Sequence, residues 1–383
     1  MEIRKKVVLI DPWGIASTSE YLNGLIYGLS SLVDLTVFTN YYFQLKIPSE
    51  VEIKRVFFKN TEKMKQGTLR KCFRGIEYIG GYRNIIKYLK KQGTVDVIHI
   101  NWLLSYQLDI HFLKELKKYT NKLVYTAHNV IPHINGENSI VALEQIYSMC
   151  DRIILHGESI KTEFSKYFQE YVDKIYIQKH GSNLIPKIGY DEKTVLKSIK
   201  LKVESYQKKY IFFGRIFYNK GADRLISAWN KNWNDTLLIV AGHVDDNYAE
   251  FEALRKLIEK QDNILVLDEF VDDNTLNYLI SKSEIILLPY RHASMSGVVF
   301  TAADFNKTVL CTRVGALPEY LQNEEDSFIV DNTDEAILQK LNFIHDNVSC
   351  EDLQKMGKNL SVNIQNECAW TNVANKLVTE CYL

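Results

Sequence analysis

Two consecutive series of short, apolar, β-branched runs, each alternating with longer helical patterns, do most to restrict what this chain can fold into. The first half offers strand-like runs at 6–11, 35–39, 52–58, 95–102, 122–128, 152–156 and 174–179. Helical spacing of Leu22, Leu25, Ile26 and Leu29 marks a helix over 19–31, and 111–119 and 159–168 read similarly. The second series places strands at 210–214, 236–241, 263–267, 284–289, 308–312 and 327–331, with helices predicted at 222–230, 248–260, 274–282 and 297–305. Residues 334–382 read as helices only. Strands this continuously apolar are buried on both faces of a parallel sheet. Two such series therefore predict an α/β chain of two doubly wound units.

A length of 383 residues agrees, because one hydrophobic core rarely serves so long a chain. Residues 1–185 form the predicted first domain and 209–365 the second. A polar, lysine-rich connection at 186–208 contains Gly189, and 366–383 is a terminal helix. Doubly wound sheets bind ligands beyond the carboxyl ends of their strands. With two units, the expected site is the cleft that they face.

Hydrophobic residues at 46% and charged residues at 25% describe an ordinary folded chain, and a net charge of +0 makes any basic patch local. The apolar run 7–10 is too short for a signal peptide, and no stretch of about 18 apolar residues predicts a membrane-spanning helix. Cysteines 72, 150, 311, 350, 368 and 381 show no CxxC spacing and read as free thiols in a reducing cytosol. The histidines show no HExxH spacing, so no metal site is predicted.

Four strand ends carry the candidate chemistry. After the strand ending at Phe213, Gly214 and Arg215 precede Lys220 and Gly221. Arg grips phosphate oxygens with a planar fork and Lys adds a point charge, which suits a diphosphate. Solvated loop cations are the structural alternative. After Pro289 come Arg291, Ser294, Ser296, Gly297 and Val298, small residues opening a helix whose free N–H groups favour an anion. A plain serine cap is the alternative. The turn Gly14, Ser17, Thr18 follows the first strand; it lacks a GxGxxG fingerprint and lines the predicted cleft. His128 ends another strand, placed to bond a sugar hydroxyl or move a proton. A structural histidine is the alternative. His156 and His180 also end strands, each followed by glycine.

Together these segments resemble GT-B glycosyltransferases, and in particular those related to the large retaining family 4, over nearly the whole chain. The resemblance implies that Gly214–Gly221 is the donor diphosphate clamp, with Arg215 and Lys220 holding the nucleotide. It places a donor-sugar contact on His128 through the Thr126-Ala127-His128-Asn129 run. Val314 to Glu319 is similar to that family's Gly-Gly-x-Pro-Glu turn, so Glu319 is expected at the nucleotide or sugar. The resemblance also returns the helix of Trp370 to the first domain. One departure stands out: the family's two glutamates fall on Ala293 and Thr301, and neither is acidic. A subgroup of similar bacterial enzymes shares that loss and the Ser296-Gly297-Val298 run. They resemble makers of capsular, exopolysaccharide or lipid-linked glycans. Retention against inversion is left open.

Residues 54–91 hold twelve Lys or Arg against Glu62 and Glu77, with aromatics interleaved. Arg70, Lys71, Phe73, Arg74 and Tyr78 are predicted to meet an anionic membrane surface and dock a lipid-diphosphate acceptor. A solvated helix with an aromatic inner face is the alternative, and the absence of an RNA-binding motif argues against nucleic acid. The expected enzyme is a cytoplasmic hexosyltransferase, peripheral on the inner face of the membrane. It uses a nucleotide sugar as substrate, no cofactor and no metal, and serves bacterial surface polysaccharide synthesis. A GT-B nucleotide-sugar epimerase and an inactive partner subunit are the competing readings.

Overall fold

The computed structural model describes residues 4–15, 17–131, 136–184 and 188–383, apart from the side chains of 17 and 136–138. The chain divides into two compact units, Met1–Leu184 with Glu367–Leu383, and Ile185–Asn366.

The first unit holds a seven-stranded sheet of β1 (Lys6–Asp11), β2 (Asp34–Asn40), β3 (Glu52–Phe57), β4 (Val95–Ile100), β5 (Thr120–Thr126), β6 (Arg152–Leu155) and β7 (Ile175–Ile177). Their spatial order is β3-β2-β1-β4-β5-β6-β7, and every pairing is parallel. The order reverses between β1 and β4, and such a reversal opens a crevice at the carboxyl strand ends. Its helices are α1 (Ser17–Ser30), α2 (Thr68–Gln92), α3 (Tyr106–Leu116), α4 (Gly136–Met149) and α5 (Glu158–Phe168).

In the second unit, β8 (Lys208–Phe213), β9 (Thr236–Ala241), β10 (Ile264–Leu267), β11 (Ile285–Leu288), β12 (Thr308–Thr312) and β13 (Ser327–Val330) form a parallel sheet. Its order is β10-β9-β8-β11-β12-β13, and the reversal falls between β8 and β11. Helices α6 (Lys197–Glu204), α7 (Ala222–Ala228), α8 (Ala249–Ala253), α9 (Arg255–Ile258), α10 (Asp273–Lys282), α11 (Val298–Asp304), α12 (Asp334–Asn347) and α13 (Cys350–Cys368) follow in chain order.

All thirteen runs read as strands are strands, several a residue or two shorter than expected. Three helices depart from expectation. The predicted helix over 248–260 is two short ones, α8 and α9. The 14-residue α4 was not read from the sequence, and the 25-residue α2 bears out the solvated-helix alternative for part of the basic, aromatic stretch.

The last segment, α14 (Trp370–Lys376) and a π-helical turn over Leu377–Tyr382, packs into the first unit's core. Trp370, Val373, Ala374 and Leu377 share one buried cluster with Leu22, Leu25, Ile26 and Leu29 of α1. Three glycines clear the slot for Trp370. A Cβ on Gly24 would lie 2.0 Å from its Nε1, one on Gly28 2.5 Å from its carbonyl oxygen, and one on Gly181 2.2 Å from its Cε2. The indole Nε1 donates to the Ser182 carbonyl at 2.8 Å.

Candidate functional site

In the first unit, β1 and β4 end side by side. Asp11, the last residue of β1, is fully buried. Its Oδ1 accepts from the backbone N–H groups of Trp13 and Gly14, both at 2.9 Å, and its Oδ2 from Asn101 Nδ2 at 2.6 Å. Burial outweighs these bonds and lifts the Asp11 carboxyl to about 6. Gly14 turns the chain with φ +38°, where a Cβ would come 2.3 Å from Thr39 Oγ1. Thr18 Oγ1 donates to the Ile15 carbonyl at 2.7 Å, and the side chain of Ser17 lies outside the described residues.

His128 follows β5, and both of its ring nitrogens are engaged. Nε2 lies 3.2 Å from Asn101 Oδ1, and Nδ1 lies 3.3 Å from His156 Nε2. His156 Nδ1 in turn faces the Gln178 carbonyl at 3.0 Å. The His128 ring stacks on Trp102 at 4.3 Å and meets the edge of Tyr21 at 5.0 Å. Burial, then the imidazoles of His156, His180 and His99, hold the His128 pKa well below the usual histidine value. Burial draws His156 down to about 4 and His180 to about 3.

In the second unit the loops after β8 and β11 meet at the strand reversal. Arg291 N–H donates to the Asn219 carbonyl at 2.8 Å. Gly214 takes φ +107°, and Gly221 takes φ +70° with its Cβ position 2.3 Å from the Pro289 carbonyl oxygen. The side chain of Arg215 is 71% exposed and pairs with Asp245 at 2.8 Å. A surface pair of this kind contributes little and exchanges readily for a phosphate. Lys220 Nζ sits 3.8 Å from the ring centre of Tyr290, and burial lowers its pKa to about 8. Among the described residues no carboxylate pairs with it.

Ser296 is buried, 3.1 Å from the Tyr290 hydroxyl, while Gly297 is exposed and Val298 half-buried at the start of α11. The Ser294 carbonyl accepts from Ala316 N–H at 2.9 Å, so the 314–319 turn packs against this loop. Glu319 lies half-buried in the 3₁₀ turn Leu317–Tyr320. Arg291 is committed elsewhere. Its fork grips both oxygens of Asp223 at 2.7 Å each, and Asp223 also accepts from the Tyr248 hydroxyl. The fork expected for donor phosphate therefore ties the β11 loop to α7.

The predicted acceptor patch resolves into the two faces of α2. Tyr78 is a correction: it turns inward, 3% exposed, and its hydroxyl donates to Asp109 at 2.6 Å. Arg70 pairs with Glu62 at 3.1 Å, and Arg74 pairs with the same carboxylate while stacking 3.8 Å over Phe58. Their charge is thus partly spent. Lys71 and Phe73 are exposed, and Leu69 and Ile76 join them at helical spacing, 72% and 64% exposed beside Phe73 at 50%. That apolar stripe was missed, since in the sequence it lies among the basic residues of the charged stretch. Asn101, Asp223 and Tyr290 were missed too, because their partners lie far away in the chain. No helix among the described residues is long and apolar enough to cross a membrane.

Residues 207–347 match the family model for glycosyl transferases group 1. The chain carries a glycosyltransferase domain in a GT-B fold. The matched residues include the loop after β8, which carries Arg215 and Lys220, and the loop after β11, and they span the strand reversal between β8 and β11. Over the whole chain the fold is similar to that of a sucrose-phosphate synthase from Thermosynechococcus elongatus, with TM-score 0.70, 15% identity and coverage of 98% of this chain and 97% of that one. HepE of Anabaena, solved with UDP-glucose, gives TM-score 0.66 at 13% identity, covering 98% of each chain. WaaG, a glycosyltransferase involved in lipopolysaccharide biosynthesis, gives 0.58 at 16% identity over 98% of this chain and 100% of that one. An uncharacterized glycosyltransferase of Methanocaldococcus jannaschii is 25% identical over 198 residues, half of this chain and half of its own length.

Proposed function

We propose that the protein transfers a hexosyl group from a nucleotide-sugar donor to a glycan or polyprenyl-diphosphate-linked acceptor, in the making of a bacterial surface polysaccharide. The observation that carries this reading is the loop after β8, within the residues that match the group 1 model. Arg215 stands exposed in a weak surface pair, and Lys220 is drawn down to about 8 by burial with no carboxylate partner among the described residues. A cation held that way gains most from a buried anion such as a diphosphate. These two cations take up the negative charge of the departing nucleotide without a metal. HepE was solved with a nucleotide sugar, which agrees with a donor of that class.

His128 is assigned to the sugar by its motif. In the free protein its two nitrogens bond Asn101 and His156, and a sugar hydroxyl replaces the Asn101 contact. Lys71 and the stripe Leu69, Phe73, Ile76 are assigned to the membrane face of a cytoplasmic, peripheral enzyme, where cations meet anionic headgroups and apolar side chains enter the interface.

A thermal-shift screen against nucleotides and nucleotide sugars tests the donor site. A ligand at a hundred times its Kd adds about 2.7 kcal/mol of stability. A shift with one nucleotide class, lost in Arg215→Ala/Lys220→Ala, is expected. A chain that answers to no nucleotide overturns the reading.

A further inference from the structure

Two indoles stand at the strand reversal of the first unit. Ile10 and Ile100 are register partners at the ends of β1 and β4, and Asn101 N–H donates to the Ile10 carbonyl at 2.8 Å. Trp13 lies two residues past β1 and Trp102 two residues past β4. Their ring centres are 6.4 Å apart, with the planes inclined at 35°. Trp102 is half-buried and lies nearly flat on His128, at 4.3 Å and 11°. Trp13 is 39% exposed.

Leaving that much indole in water is unfavourable in proportion to its area, yet the fold holds it there. Asp11 Oδ1 accepts from Trp13 N–H at 2.9 Å, and Oδ2 accepts from Asn101 Nδ2 at 2.6 Å. One fully buried carboxylate thus ties together the two loops that carry the indoles. Burying a carboxylate is itself costly and needs such bonds. The outcome is an exposed aromatic surface on a fixed turn, which a ligand can use without first ordering the chain.

The surface is also uncharged. At the neighbouring end of β2, Lys59 and Lys63 lie over Tyr41 and Tyr42, 5.3 and 5.8 Å from the ring centres. Among the described residues no Lys or Arg lies over Trp13 or Trp102 in that way. The face of an indole is electron-rich and attracts weakly positive C–H groups. A pyranose chair presents such groups on one face and carries its hydroxyls at the rim. Asn101 and His128 stand beside Trp102 to meet a rim hydroxyl. A polyprenyl chain has no hydroxyl to offer them. A nucleobase also stacks, but the cations assigned to its phosphates are in the loop after β8.

We propose that Trp13 and Trp102 form a stacking platform for a pyranose ring, and that this ring is the terminal sugar of the acceptor. The inference rests on the sugar transfer proposed above and narrows it: the acceptor already ends in a sugar, not in a bare polyprenyl phosphate. Trp13 supplies the open face, and Trp102 joins that face to His128.

Each of the five tryptophans has one indole N–H, so nitrogen-15 spectra of the full chain test this directly. The Trp13 and Trp102 signals are identified by their loss in Trp13→Phe and Trp102→Phe. Nε1 of Trp102 is buried with no partner among the described residues, so its signal reports what stacks on the ring. Titration with the methyl glycosides of glucose, galactose, mannose and N-acetylglucosamine is expected to move both signals, with half-saturation on the order of millimolar. Trp229, Trp233 and Trp370 are expected to stay in place. In Trp13→Ala the Trp102 signal is expected to stop responding. Five stationary signals overturn the platform, as does a response to uridine in place of the glycosides, or a Trp102 response that survives Trp13→Ala. The Trp13 signal decides alone if Trp102→Phe does not fold. Nucleotide-induced thermal shifts keep the two readings apart. They are expected to be the same in Trp13→Ala as in the wild type, and a wild type that answers glycosides but no nucleotide would remove the donor reading and leave the platform standing.

Discussion

Lys220 is a cation poised to lose its charge. Its pKa near 8 lies below the ordinary lysine value, so the charge is present below pH 8 and fades as pH rises through it. A bound diphosphate favours the protonated form. Nucleotide affinity is therefore expected to hold steady below pH 8 and to fall by up to roughly tenfold per pH unit above it. Calorimetric titration at pH 7 and pH 9 checks this, with Lys220→Ala weak and flat across both; an affinity that does not change from pH 7 to pH 9 in the wild type would contradict it. The cation and its loop were legible in the sequence, since Gly-Arg and Lys-Gly follow an apolar run. Its setting was not. Tyr290 lies seventy residues on and reaches Lys220 only because β8 and β11 are neighbours across the strand reversal. Arg291 shows the same limit: its fork is matched by Asp223, and nothing local to either residue announces the pair.

At the scale of elements, strands were readable, while helices α2 and α4 were not marked by periodicity. Parallel strands buried on both faces are continuous apolar runs, which stand out whatever surrounds them. Helix α2 has apolar groups on two faces: Tyr78, Tyr82, Ile85 and Leu89 turn inward, while Leu69, Phe73 and Ile76 turn outward. The outward group precedes the inward one, so the apolar face switches sides part-way along the helix and no single stripe marks its whole length. The outer stripe makes its own prediction. Leu69→Ser/Phe73→Ser/Ile76→Ser is expected to lower binding to vesicles containing anionic lipid by at least about tenfold, judged from the apolar area withdrawn. Nucleotide-induced thermal shifts should be unchanged. Sedimentation with vesicles reads the first effect, and full binding by the triple variant would remove α2 from the membrane. A second element-scale outcome concerns α1. Gly24→Ala puts a methyl group inside the Trp370 indole, so the melting temperature is expected to fall by several degrees, as overpacked cores lose about 1–3 kcal/mol. Calorimetry checks it, and an unchanged melting temperature would mean that the slot has slack.

For the whole molecule, the two doubly wound units followed from the double alternation of runs, the strand orders came only with the structure, and the match over 207–347 agrees with a family read from motifs such as 214–221. The return of the last segment came from resemblance alone, because Trp370 carries no local sign of its destination. It fills a cluster otherwise built from α1 and the sheet. A chain ending at Asn366 is expected to unfold in its first unit well before its second, giving two separated calorimetric transitions. A single transition at the wild-type temperature would show that the segment is dispensable.

That return has a consequence for the order of events during synthesis. The first unit's strands leave the ribosome early, yet the indole that plugs their core arrives only after all of 185–366 has been made. A nascent first unit therefore waits with an open slot between Gly24, Gly28 and Gly181, while the second unit already has its whole sheet. The later-born half is the one free to fold first, and the earlier-born half is the one a chaperone has longest to find.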